Sequence, residues 1–208
     1  MERIQRLIPL VKVYYQGTDP AHDWPHVGRV AATARKLAQE LGANLPCVLA
    51  AVYCHDLINL PKNHPDRKEA STLSAKEALP HLREAGFSPE EISLIQTCVV
   101  EHSFSKGLKP TCVEAAIVQD ADRLDALGAI GVLRCAAVNT QLGSRFYDPF
   151  DPRAEGRPLD DKSFMVDHYS VKLFKLPELM NTEEARRIGL QRVEFMKAFL
   201  GTLFTEIG

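Results

Sequence analysis

A chain of 208 residues, 45% hydrophobic and 25% charged, can bury one sizeable core and is expected to fold as a single domain. Its net charge of −2 lacks the concentrated Lys/Arg surface that counterion release requires, which argues against nucleic acid and leaves a small molecule as the expected partner. With no apolar run of about 18 residues, no leader-like start and five cysteines in no C-x-x-C spacing, it reads as a cytoplasmic protein with reduced thiols and no membrane role.

Apolar residues recur at intervals of three and four almost throughout, and no long stretch alternates at period two, so an all-α fold is predicted. A first amphipathic helix runs from about Glu2 to Tyr15 and stops at the Gly17-Thr18-Asp19-Pro20 breaker cluster. The second starts near Asp23, an N-cap with Pro25 in the first turn, carries Val30, Ala34, Leu37 and Leu41 on one stripe, and ends at Gly42. The third begins at Pro46, aligns Val48, Ala51, Val52 and His55, and opens into the loop LPKNHPDRK. A helix around Ser74 to Ala85 follows, and Ser88-Pro89-Glu90-Glu91 is a capping box launching a helix to about His102.

Thr111 to Asp125 gives a further helix, after which Gly128-Ala129-Ile130-Gly131 supplies small residues for close approach to a neighbour. The stretch 141–161, with Pro149, Pro152, Gly156 and Pro158, has no clear period and reads as a lid or binding loop, with at most a short hairpin. Asn181-Thr182-Glu183-Glu184 then caps a final helix to about Phe204. The core is expected over about 20–140, with C-terminal helices over 162–208.

Three items could carry chemistry: His26 early in the second helix, His55-Asp56 at the end of the third, and Asp122 within QDADRLDALG. His26 shares the stripe of Val30, Ala34 and Leu37, and His55 extends that of Val48, Ala51 and Val52, so both imidazoles should point inward. A buried imidazole must find a partner, and a metal ion is one solution. A backbone carbonyl is the other, and for either histidine alone it is the commoner one. A bare His-Asp pair is weak evidence, as the second one, His22-Asp23, illustrates.

The strings HDWPHVGRV, AAVYCHDL and IVQDADRLDALGAIG, in this order, together with the later HYSVKLFKLPELM, resemble the HD superfamily of metal-dependent phosphohydrolases, most closely its bacterial nucleotide-pyrophosphohydrolase-like branch. The resemblance implies an HD-domain helical bundle with a C-terminal helical extension, in which His26, His55, Asp56 and Asp122 bind one divalent cation. Asp122 is preferred to Asp120 by its ADRL context. Two residues on a helix differ by about 200° in direction, so Asp120 is then either a partner behind a ligand histidine or a surface carboxylate. Such a mixed N/O set suits Mn, Mg, Co, Ni, Fe or Zn and leaves two positions of an octahedral ion open for water and a phosphate oxygen.

Some members carry an acidic residue shortly after the His-Asp pair as a base, but here Leu57-Ile58-Asn59-Leu60 follows. His102 is the first candidate for an acid/base role, against the alternative of an ordinary helix C-cap histidine. Binuclear members add two histidines in the interval that holds His81 and His102, but His81 lies off the Ala75, Leu79, Leu82 stripe and is expected at the surface. Substrate phosphates could meet Lys62, Arg67 and Lys68, or Lys162, His168 and Lys172; His22 is a weaker candidate contact. The leading reading is a nucleotide phosphohydrolase that converts a nucleoside triphosphate to monophosphate and pyrophosphate. The alternatives are a 5′-nucleotidase or cyclic-nucleotide phosphodiesterase, and a catalytically silent nucleotide-binding HD regulatory module. A homodimer is compatible with each.

Overall fold

The computed structural model describes residues 1–17, 21–60 and 64–208, and among these the period of three and four becomes nine α-helices and four short 3₁₀ turns, with no strand. The chain forms two compact units, Met1–Asp122 and Arg123–Gly208.

In the first unit, α3 (Leu45–Cys54) is the central element: its sequence LPCVLAAVYC is apolar all round, and every residue from Cys47 to Val52 is fully buried. Around it pack α1 (Glu2–Lys12), α2 (Trp24–Leu41) and α5 (Pro89–Glu101), with α4 (Ala70–Ala85) lying on α5 and α1. Each large apolar side chain buried in this way contributes about 1.5–3 kcal/mol.

The cap residues set most boundaries. The Asp23 carboxylate accepts the His26 N–H at 2.9 Å and starts α2, while Gly42, at φ 64°, ends it. The Ser88 box is complete: Glu91 N–H donates to Ser88 Oγ at 3.3 Å, and Ser88 N–H donates to Glu91 Oε2 at 3.0 Å. In this unit two boundaries differ from expectation by three residues or more. The α-helical part of α1 stops at Lys12 and continues as a 3₁₀ turn, Val13–Tyr15. Helix α4 begins at Ala70 instead of Ser74, because a 3₁₀ turn at Arg67–Glu69 feeds it and the Ser71 hydroxyl bonds Val100 O at 3.2 Å, a tertiary contact with no local signature. The last helix of this unit, α6 (Val113–Asp125), contains the division between the units.

The second unit holds α7 (Gly128–Leu142), α8 (Met165–Val171), a 3₁₀ turn over Leu173–Leu179 and α9 (Glu183–Ile207), the last started by Thr182, whose Oγ1 accepts the Ala185 N–H at 3.3 Å. Gly128 makes the expected close approach, since a Cβ there would stand 3.2 Å from Cγ of Arg192 in α9. Gly131 serves another purpose: its Cβ would fall 2.3 Å from the Ala126 carbonyl oxygen, so the turn into α7 itself requires glycine. The stretch after α7 contains no hairpin, only an isolated parallel bridge between Arg145 and Phe164. A guanidinium organises it instead: Arg157 grips the buried Asp167 with two nitrogens, one at 3.0 Å, and reaches Asp148 at 3.3 Å.

Candidate metal centre

Helices α3 and α5 end in the same unusual way. Neither stops at glycine; the residue after each is a histidine that keeps helical backbone angles, His55 (φ −65°, ψ −34°) and His102 (φ −63°, ψ −30°). Each ring turns back on its own helix, with His55 Nδ1 2.7 Å from Val52 O and His102 Nδ1 2.6 Å from Val99 O. A carbonyl can only accept, so both Nδ1 atoms carry hydrogen, and in a neutral ring the lone pair is left on Nε2. The two rings meet edge to face, 4.9 Å between centroids. His102 is thus a C-cap histidine and a neighbour of the His-Asp pair at once.

His26 arrives from the first turn of α2, fully buried, with its Nε2 3.3 Å from His55 Nε2. Asp56 Oδ2 lies 3.4 Å from His55 Nε2, and Asp122 Oδ1 lies 3.6 Å from His26 Nε2 and 4.0 Å from His55 Nε2. His26, His55 and Asp56 form a cluster able to hold a metal ion. Neighbouring ligands of one first-row ion at about 2.1 Å stand roughly 3.0 Å apart in an octahedron and roughly 3.4 Å apart in a tetrahedron. The His26–His55 and His55–Asp56 spacings of 3.3 and 3.4 Å fall in that range, the two Asp122 distances of 3.6 and 4.0 Å stand somewhat beyond it, and two imidazole Nε2 atoms with carboxylates beside them form a donor set that fits a divalent cation.

Burial pushes the His55 imidazole down from the ordinary 6.5 to about 4, helped by the His102 and His26 rings and opposed by Asp56 and Asp122. It is therefore neutral near pH 7, the form that ligates. Burial also opposes charge on His102, but Asp56, 3.7 Å away, Asp122 and the Val99 carbonyl outweigh it and raise that group. Burial disfavours the Asp56 carboxylate too, yet His55 and His102 together hold it well below the usual range.

A pH dependence follows for the metal-free protein. Between 4 and 6.5 the unfolded chain protonates His55 and the folded chain does not, so stability present above 6.5 is lost as the pH falls. The full gap is worth about 3 kcal/mol. His102 has the opposite sign: its contribution is complete below 6.5 and fades as the pH rises through its raised folded value. Urea unfolding across pH 4.5–8 should give a maximum near pH 6.5, with the acid-side slope reduced in His55→Asn and the alkaline-side slope reduced in His102→Asn.

The remaining candidates are placed as follows. Asp120 is fully buried, so its reading as a surface carboxylate falls. The His22 ring lies 6.2 Å from that of His26. Lys62 lies outside the described residues. Arg67 is engaged in structure, holding Asn59 Oδ1 at 2.8 Å and Leu60 O at 2.6 Å. His168 and Lys172 belong to the second unit, where His168 Nδ1 meets Asp161 Oδ2 at 2.8 Å and Lys172 follows the last residue of α8. His81 is half-buried against the Tyr14 hydroxyl at 2.9 Å. Among the described residues, no helix is long and apolar enough to cross a membrane, and all five cysteines are free.

Sequence reasoning overlooked the supports of the site. The Gln119 amide donates to Glu101 O at 2.8 Å and to Leu108 O at 3.1 Å, joining the helix that carries Asp122 to the chain on either side of His102. Ser74, fully buried on α4, takes the Ile58 N–H at 3.0 Å, just beyond the His-Asp pair. Neither has a local signature, because an isolated Ser or Gln on a helix reads as ordinary.

The family model of the HD domain matches residues 24–127. The chain is similar to the uncharacterized protein YpgQ of Bacillus subtilis (strain 168), 32% identical over 190 residues, covering 89% of this chain and 84% of that protein. Among solved structures, YpgQ in complex with ADP is 27% identical with a TM-score of 0.75, covering 98% of this chain and 94% of that chain. An HD-superfamily hydrolase from Bacillus thuringiensis is 30% identical with a TM-score of 0.75, covering 99% and 96%. A protein from Lactobacillus plantarum is 28% identical with a TM-score of 0.77, covering 98% and 96%.

Proposed function

Because this chain belongs to the HD-domain family, we propose that it is a divalent-metal-dependent phosphohydrolase acting on a nucleotide, and specifically that it releases pyrophosphate from a nucleoside triphosphate. The observation that carries the reading is the convergence of His26 Nε2, His55 Nε2 and the Asp56 carboxylate within one cluster whose two histidines are fully buried. The ADP held by the YpgQ structure supports a nucleotide as the ligand class.

A divalent ion in such a site supplies Lewis acidity toward a phosphoryl oxygen and makes water a competent nucleophile at neutral pH. The chain's own groups do the rest. His26 and His55 present lone pairs, and Asp56 and Asp122 supply negative charge. The leucine, isoleucine and asparagine after Asp56 leave no carboxylate there, so His102, 3.7 Å from Asp56, takes the role of accepting and returning a proton at Nε2. His22, His168 and Lys172 stay proposed as substrate contacts on their sequence context, with the ring contact to His26 added for His22.

The test is purified protein loaded in turn with Mn, Mg, Co, Ni and Zn and offered nucleotides, with pyrophosphate and orthophosphate detected separately. Pyrophosphate with a nucleoside monophosphate supports the proposal. Orthophosphate from a monophosphate would make the protein a 5′-nucleotidase, and opening of a cyclic nucleotide a phosphodiesterase. Nucleotide binding in Mn²⁺ without any turnover would make it a silent regulatory module.

A further inference from the structure

The carbonyls of a helix's last turn have no partner within it, and glycine, water or side chains usually satisfy them. At the end of α5 each has a partner although no glycine follows: Cys98 O accepts the His102 N–H at 3.1 Å, and Val99 O accepts from His102 Nδ1 at 2.6 Å. The next two are taken by other helices, Val100 O by the Ser71 hydroxyl of α4 at 3.2 Å and Glu101 O by the Gln119 amide of α6 at 2.8 Å. The helix end that carries His102 is thus held from two sides.

Gln119 is only 1% exposed, and its amide is committed twice, because the second hydrogen goes to Leu108 O at 3.1 Å. Beyond Leu108 the chain is closed back on α5: the buried Glu101 carboxylate accepts the Thr111 N–H and the Thr111 hydroxyl, both at 2.9 Å. One amide group therefore grips the residue before His102 and the segment after it. Gln119 also lies one turn before Asp122 on α6, at the spacing where helical side chains are neighbours. The stretch of α6 that brings Asp122 to 3.6 Å from His26 Nε2 is the stretch that fixes the chain around His102, whose Nε2 stands 3.7 Å from Asp56 Oδ1.

We propose that Gln119 is a positioning residue that sets the His102 ring against the metal centre by locking the end of α5 to the helix of Asp122. The inference rests on the role given to His102 above. Gln119→Met keeps the length of the side chain and removes both bonds. Gln96→Met is the control, since that amide donates to Ala75 O at 2.8 Å and joins the same α5 to α4 more than a turn before its end.

Two readouts are needed. The first is exchange of the Gln119 side-chain amide hydrogens in the wild type, followed by NMR. The second is steady-state kinetics and Mn²⁺ affinity of the three proteins below their melting temperatures, with the fastest substrate among the common ribo- and deoxyribonucleoside triphosphates. The Gln119 amide hydrogens are expected to exchange far more slowly than those of the exposed Gln5. In Gln119→Met kcat should fall about 10- to 100-fold while KM and Mn²⁺ affinity keep their wild-type values, and Gln96→Met should match the wild type in all three. Gln119 hydrogens that exchange as fast as those of Gln5 would overturn the inference without any variant. So would an unchanged kcat in Gln119→Met, an equal loss in Gln96→Met, or a loss in Gln119→Met that appears in Mn²⁺ affinity instead of kcat. Failure of the functional reading looks different: the wild type then hydrolyses no nucleoside triphosphate while the Gln119 amide stays protected, and this inference falls with it.

Discussion

Asp56→Ala is expected to abolish divalent-ion binding and hydrolysis together, while leaving the helical circular dichroism spectrum intact. The carboxylate sits 3.4 Å from His55 Nε2 and 3.7 Å from His102 Nε2, so its removal takes away a donor atom, a negative charge and the counter-charge of His102 in one step. Residues that merely support a ligand are worth roughly 10- to 100-fold in affinity or activity, and a ligand that also carries charge must exceed that. The loss should therefore be more than about 100-fold in both metal affinity and kcat/KM. Asp56→Asn, which keeps the shape and deletes the charge, should fall nearly as far. Retained activity in either variant would remove Asp56 from the site.

The second large effect separates two carboxylates on one helix. Asp122→Ala should lose the ion and with it the activity, because Asp122 is the carboxylate that approaches His26 at 3.6 Å and His55 at 4.0 Å. Asp120→Ala should keep the ion and lose about 10- to 100-fold in rate, as expected for a buried partner that acts through another group. Metal content measured on both purified variants, before any assay, decides the matter. An Asp122 variant that keeps its ion beside an Asp120 variant that loses it would reverse the two assignments.

Helix positions were legible wherever a local signal sets them. Asp23 and Gly42 bracket α2, and the Ser88 box starts α5, because each cap satisfies backbone groups within three or four residues. Where the determinant is tertiary, the sequence is silent. The early start of α4 depends on Ser71 reaching Val100, and the stretch after α7 is organised by Arg157 gripping an aspartate ten positions away without any period. The site divides along the same line. The inward direction of His26 and His55 follows from their apolar stripes. The meeting of His55 with His102 arises only when two helices end side by side, and the supports from Ser74 and Gln119 come from residues whose local context is that of ordinary core or helix surface.

The central claim is that His26, His55, Asp56 and Asp122 hold one divalent ion, and the most direct measurement is anomalous diffraction from crystals soaked in Mn²⁺. The account predicts a single strong peak per chain, at about 2.0–2.3 Å from His26 Nε2, His55 Nε2 and a carboxylate oxygen of Asp56 and of Asp122. No peak at this cluster in a crystal that takes up Mn²⁺ elsewhere, or a peak bound without His26 and His55, would contradict it.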